Sequence, residues 1–288
     1  MSNLVDLWNE IADIPTEDDE LSVPTDAKLA DLVIQRSELT PLRLFIRPRV
    51  DQTWTIRDIV EKCPPLEWQD AFDLAIHELR DVSSKLMADE KVLGTFFPLK
   101  ADIFRAFDTT PLSRVKVVLI GMDPYPQLNP YTGKPRAQGL SFSVSRNDSI
   151  PASLQNIFKE IKANYPDFIH QGHGDLTSWA HQGVLLLNAS LTVLPNRPGS
   201  HAGYWDGFLT RILGVLAEKV PDTCYVLWGQ DAQKLERKIG GRAKILKAGH
   251  PSSRNLRDTF IGCGHFKQIN EYLSAMGKAP ICWNLYPR

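Results

Sequence analysis

Four short apolar runs constrain this chain more than any other feature: 115–120, Val184–Leu187, Cys224–Trp228 and Ile245–Ala248. Each is too short for a helix and reads as a buried strand. Around them lie stretches of helical period. In 68–86, Trp68, Ala71, Phe72, Ala75, Ile76, Leu79, Val82 and Leu86 recur at spacings of three and four, which predicts one amphipathic helix. Further helices are expected over 103–107, 154–164, 208–219 and 266–276. Strands alternating with helices imply a parallel sheet covered on both faces. The predicted fold is a single-domain three-layer α/β/α sandwich with a central, mostly parallel four-stranded sheet. In such a sheet ligands sit beyond the carboxyl ends of the strands. Asp123, Asn188, Gly229 and His250 follow the four runs in turn.

Taken alone, a strand followed by Gly121-Met122-Asp123-Pro124 suits a turn-capping Asp as well as a catalytic one. Its neighbours change that. GMDPYP (121–126), GLSFSV (139–144), LLLNASLTV (185–193) and GHPSSRN (249–255) occur in this order. Together they resemble uracil-DNA glycosylase, family 1. The resemblance runs from about Leu66 to Leu285 and includes DIFRAFDTTPL and GCGHFKQINEYL.

The resemblance implies an enzyme that flips uracil out of DNA and hydrolyses its N-glycosidic bond, leaving an abasic site. A base inside a duplex must be extruded before chemistry can reach it. The catalytic residues it implies are Asp123, which would stabilise an oxocarbenium-like sugar and orient water, and His250, which would donate to O2 of the departing base. Phe142 would stack on the base and Tyr125 would exclude a 5-methyl group. The Asn188 amide, one donor and one acceptor, would match uracil and mismatch cytosine. Met122 stands where the family carries glutamine and would touch the base partly through its backbone. Ser153, Ser252, Arg254, Gln230 and His201 are the expected DNA contacts, His201 in a supporting role. No metal or cofactor is expected, nor lyase activity, since no lysine stands in the motifs as an amine nucleophile.

Departures from the family pattern cluster at DNA-facing positions. Pro126 replaces a histidine, Gln230 a serine, Arg254 a leucine wedge and Asp258 an arginine. The loop 127–138 is longer than the family pattern and brings Lys134 and Arg136 to the pocket mouth. Two rival readings follow: a superfamily glycosylase for a bulkier modified pyrimidine, as in modified phage DNA, and a weakly catalytic DNA-binding replication-accessory module. A dinucleotide or P-loop protein is disfavoured for want of a GxGxxG or GxxxxGK loop.

Net charge is −1, which does not suggest a nucleic-acid partner, but its distribution is uneven. Residues 1–31 carry nine acids and one base, leaving 32 bases and 25 acids, a balance of +7, in 32–288. A basic body with an acidic tail is compatible with DNA, single- or double-stranded. The expected organisation is an acidic, weakly ordered tail (1–31), a connecting arm (32–65) and a catalytic domain (66–288). The tail, with a short amphipathic stretch over Leu4–Ile11 and Trp8 as anchor, suits either a floppy end or a docking peptide for a protein partner. Cys63, Cys224, Cys263 and Cys282 form no CxxC pair, so free thiols in a reducing compartment are expected. No run approaches bilayer length and no secretory signal opens the chain. A monomer in the cytoplasm or nucleus, away from membranes, is the expectation.

Overall fold

The computed structural model describes residues 50–252 and 260–285. The expected tail, the Leu4–Ile11 stretch, Arg254 and Asp258 lie outside the described residues. Four strands, β1 (Val117–Gly121), β2 (Val184–Asn188), β3 (Cys224–Trp228) and β4 (Lys244–Ala248), form one sheet in the order β2-β1-β3-β4. Every pairing is parallel. All residues of β1, β2 and β3 are buried, which is why they read as unbroken apolar runs. β4 is an edge, and its exposed Lys244 and Lys247 discourage pairing with another chain. From β1 the chain steps to β2 on one side, then crosses β1 to reach β3 on the other. That reversal opens a crevice at the carboxyl ends of β1 and β3.

Helices α1 (Ile56–Lys62), α2 (Gln69–Leu74), α3 (Ile76–Leu93) and α4 (Arg105–Thr109) precede β1. Helices α5 (Ala152–Asn164) and α6 (Thr177–His181) lie between β1 and β2. α7 (Asp206–Lys219) leads to β3, α8 (Gln230–Gln233) follows it, and α9 (His265–Ala275) follows β4. An aromatic cluster joins α2, α4 and α7. The Phe72 ring meets those of Phe104, Phe107 and Phe208 edge-on at 5.1, 5.2 and 5.3 Å. Each buried ring contributes roughly 1.5–3 kcal/mol relative to exposure. The cluster fixes α7 against the segment that delivers β1.

Two expectations are corrected. The single helix over 68–86 is broken at Ala75, whose ψ of 12° leaves the helical region, and the second half runs on to Leu93. The apolar stripe continues across the break, so periodicity alone does not reveal it. Residues 50–65 are not merely a connecting arm. They form α1, opened by a reciprocal capping box between Thr55 and Asp58, with Ile56, Ile59 and Val60 buried in the main core. Among the cysteines, Cys63 and Cys224 are buried while Cys263 is only partly so.

Candidate active site

β1 ends on a glycine because nothing larger fits there. Gly121 pairs in register with Asn188, and a Cβ on it would collide with the Asn188 side-chain oxygen. Beyond the strands the ladder continues: Ala189 N donates to Gly121 O at 2.9 Å and Ser190 N to Met122 O at 2.8 Å. Asp123 is thereby held at the rim between β1 and β2. Its Oδ2 accepts from Gly199 N at 2.7 Å. Burial pushes the Asp123 carboxyl above its ordinary 3.8, while the Gly199 N–H and the nearby His250 oppose the shift.

His250 enters from the end of β4. Gly229, at the end of β3 with φ 86°, makes room for it; a Cβ there would lie 2.9 Å from His250 Cβ. The backbone N–H of Ser252 donates to His250 Nδ1 at 3.1 Å. An imidazole that accepts at Nδ1 carries its proton on Nε2 and is neutral. Burial pulls the His250 pKa below 6.5, with Asp123 acting the other way. The neutral, Nε2-protonated form is therefore favoured by geometry and by desolvation together.

Phe142 does not lie on a strand. It sits in a turn at φ 61°, a conformation that costs a bulky residue energy and is kept only where the surroundings enforce it. The enforcement comes from the neighbouring strands β1 and β2: Ser141 N donates to Leu186 O at 3.0 Å and Ser141 Oγ to Leu119 O at 3.3 Å. Behind the Phe142 ring stands Trp228, edge-on at 5.7 Å, and His250 is 6.1 Å away. Trp228 is itself tied to α9, its Nε1 donating to His265 Nδ1 at 3.0 Å. Tyr125 packs among Phe97, Ala137 and Val193 and donates its hydroxyl to Phe142 O at 3.2 Å. Burial pushes that phenol well above its usual range.

These elements enclose a pocket of about 150 Å³, below the roughly 300–1,000 Å³ typical of drug-sized ligands. Gly121, Met122, Asp123, Tyr125, Pro126, Ala137, Leu140, Phe142, Ser153, Asn188 and His250 line it. Asn188 is 7 % exposed, whereas the Met122 side chain is 42 % exposed at the rim. Ser153 is the second residue of the 13-residue α5, where free backbone N–H groups suit an anion. Asn156 on the same helix donates to Pro251 O at 2.8 Å and so ties α5 to the His250 segment. Ser252 is half-buried beside His250. Gln230 is exposed at the start of α8 and does not line the pocket.

His201 lies behind the pocket. Its side chain is fully buried, meets Thr192 Oγ1 at 2.9 Å through Nδ1, and stacks on Tyr204 at 5.1 Å. A group so enclosed packs behind the loop that carries Gly199 and does not line the pocket. Gly199 itself was missed. Its signal was the Pro198-Gly199 turn ahead of His201, and its φ is 73°. The roles of Gly121 and Trp228 were missed as well, because a strand pattern does not say which of its residues meet a ligand.

A family model described as the Uracil DNA glycosylase superfamily matches residues 107–274, a span that holds every pocket residue. A Proteus mirabilis protein named uracil-DNA glycosylase is 40% identical over 227 residues, covering 77% of this chain and 98% of that one. One of the same name from Shewanella oneidensis is 43% identical over 199 residues, 68% of this chain and 88% of that one. The crystal structure of mimivirus uracil-DNA glycosylase superposes with a TM-score of 0.70 at 30% identity, over 76% of this chain and 87% of that one.

Proposed function

The chain belongs to the uracil-DNA glycosylase superfamily and is a DNA N-glycosylase that hydrolyses uracil from DNA in base excision repair, and we propose that the pocket around Asp123 and His250 is where it does so. The observation that carries this reading is the pairing of a rim carboxylate with a neutral imidazole across one base-sized pocket.

Uracil enters with one face on Phe142 and its N3–H and O4 against the Asn188 amide. His250 Nε2–H points at O2, where negative charge collects as the glycosidic bond breaks. A preorganised donor of this kind contributes about 3–4 kcal/mol. The ionised Asp123 stabilises the cationic sugar and holds water against it. Ser153 and Ser252, with the N-terminus of α5, grip the flanking phosphates. Met122 contributes through its backbone at the rim. Gln230 and Arg254 are assigned to backbone contacts farther along the strand. The enzyme works as a monomer inside the cell, and residues 1–31 are dispensable for catalysis, as a floppy end or a docking peptide would be.

Plain uracil is favoured over a bulkier pyrimidine by the root of the long loop. Ala137 packs on Tyr125 and lines the pocket, so the loop walls the pocket in and does not widen it.

The test is release of base from single-stranded oligonucleotides with one central uracil, thymine, cytosine or bulky 5-substituted pyrimidine, measured from acid to neutral pH. Cleavage at uracil alone is expected, and silence at uracil with cleavage at a bulky base would overturn the assignment. Falling pH protonates both Asp123 and His250, and each protonation stops the reaction. With Asp123 raised above 3.8 and His250 lowered below 6.5, the acid limb of kcat/KM is expected between those values, with a plateau above. A limb centred above 6.5 would show that His250 is not the neutral donor.

Gly121→Ala is expected to displace the Asn188 amide. Misplacement by about 1 Å can cost 100-fold, so uracil kcat/KM should fall by about that factor. Unchanged activity with unchanged cytosine rejection would remove Asn188 as the reader.

A further inference from the structure

Residues 127–136 leave the pocket rim at Pro126 and return to it at Ala137. Between these points the chain folds back on itself. Leu128 and Pro135 form an antiparallel bridge, Arg136 N donates to Gln127 O at 3.0 Å, and Asn129 N to Lys134 O at 2.7 Å. The tip is fastened by one side chain. Asn129 is 2% exposed, and its Oδ1 accepts from Tyr131 N at 2.8 Å and Thr132 N at 3.1 Å. Gly133, at φ 65°, closes the turn.

The root is held as firmly. Arg136 donates through Nε and Nη2 to Asp148, at 3.0 and 2.8 Å, and through Nη2 to Ser149 O at 2.7 Å. The Asp148 side chain has no exposure. Burying such a pair costs desolvation, which the bidentate geometry and the Ser149 contacts offset, so the root of the hairpin is fixed in place. What it holds out is a ring. Tyr131 is 81% exposed and Leu128 49%, and Lys134 is exposed beside them.

We propose that this hairpin is a second DNA contact, in which Tyr131 stacks on a base about four nucleotides from the extruded one and Lys134 meets a phosphate of the same strand. The proposal rests on the uracil-excision reading for the position of that strand. The hairpin rises directly from the mouth through which the target must enter. Five residues at roughly 3.3 Å each put the tip at most about 16 Å out, about four nucleotides away at roughly 3.4 Å per step. An exposed aromatic ring can stack on an unpaired base of a single strand whatever the sequence.

The experiment compares two single-stranded substrates with central uracil: a trinucleotide too short to reach the tip, and an oligonucleotide of about fifteen residues, the upper range of such binding sites. For Tyr131→Ala, kcat/KM on the long substrate is expected to fall about tenfold, with no change on the trinucleotide, and Tyr131→Phe should match wild type. Lys134→Ala should lower activity on the long substrate and flatten its logarithmic salt dependence by about 0.7, one phosphate contact. Wild-type activity for Tyr131→Ala on the long substrate overturns the proposal. So does an equal loss on both lengths, which would make the ring a structural prop of the pocket. Absence of uracil release by wild type from either substrate defeats the functional reading instead. In that case the affinities of wild type and Tyr131→Ala for the long oligonucleotide decide the contact separately.

Discussion

Asp123→Asn is expected to lower uracil turnover by at least about 100- to 1,000-fold, the range seen when one preorganised electrostatic group is removed from an active site. Affinity for uracil-containing DNA should change little, because the proposed arrangement holds the base by Phe142 and Asn188 and the strand by other contacts. The substitution is isosteric, and the Asn side-chain oxygen can still accept from Gly199 N, as Asp123 Oδ2 does at 2.7 Å. What disappears is the charge, and with it the stabilisation of the sugar cation and the pull on the attacking water. Folding should not be the cause of the loss. The folded Asp123 has a pKa above its ordinary 3.8 because burial disfavours the anion. A carboxyl with a raised folded pKa costs stability above that pKa, so a neutral amide is no worse at neutral pH. Thermal unfolding of the variant should therefore match or exceed wild type. Single-turnover release from a uracil oligonucleotide, measured beside a Tm, checks both halves. Near-normal turnover would remove Asp123 from the chemistry. A large fall in Tm would mean that the side chain is structural.

Much of this site was legible in the sequence because a parallel sheet delivers its functional groups by a simple rule. A run such as Cys224–Trp228 is apolar on both faces and bounded by Thr223 and Gly229, so its ends are sharp, and the structure places β3 on the same residues. Once the strand ends are known, Asp123, Asn188 and His250 fall at one rim, and the structure brings all three to one pocket. What was not legible depends on contacts between distant segments. The turn at Phe142 is enforced by carbonyls of Leu119 and Leu186, which no local pattern announces. The helical break at Ala75 preserves the apolar stripe and so hides within it. The helix α1 had a readable signal, Thr55 three residues before Asp58, but the prolines around it suggested an extended arm. His201 stood among the expected DNA contacts, in a supporting role, because the resemblance implied it. Its burial follows from Thr192 and Tyr204, which lie on neighbouring loops.

Tyr125→Ala is expected to turn a uracil-selective enzyme into one that also removes thymine. The two bases differ by one methyl group at C5, and the hydrogen-bonding edge read by Asn188 is the same in both. Discrimination must therefore come from shape. Forcing an extra methyl into a packed site costs typically 1–3 kcal/mol, and a wall excludes it only if the wall cannot move. Tyr125 meets that condition. Its ring is wedged among Phe97, Ala137 and Val193, and its hydroxyl is anchored to Phe142 O at 3.2 Å. The same anchor couples the stacking platform to the gate, so a base that lies flat on Phe142 meets Tyr125 at a fixed distance. Removing the ring opens space at C5 but also leaves a cavity, and large-to-small changes of this kind cost about 3–5 kcal/mol of stability. Uracil release should persist at reduced efficiency while thymine release, expected to be absent in wild type, becomes measurable. Tyr125→Phe separates the two contributions, since it keeps the ring and deletes only the anchor. Continued rejection of thymine by Tyr125→Phe would assign selectivity to bulk, and its loss would assign selectivity to the bond that holds the ring in place. If Tyr125→Ala still releases uracil and leaves thymine untouched, Tyr125 is not the gate, and the methyl group must be excluded by the backbone of the Pro124–Pro126 turn.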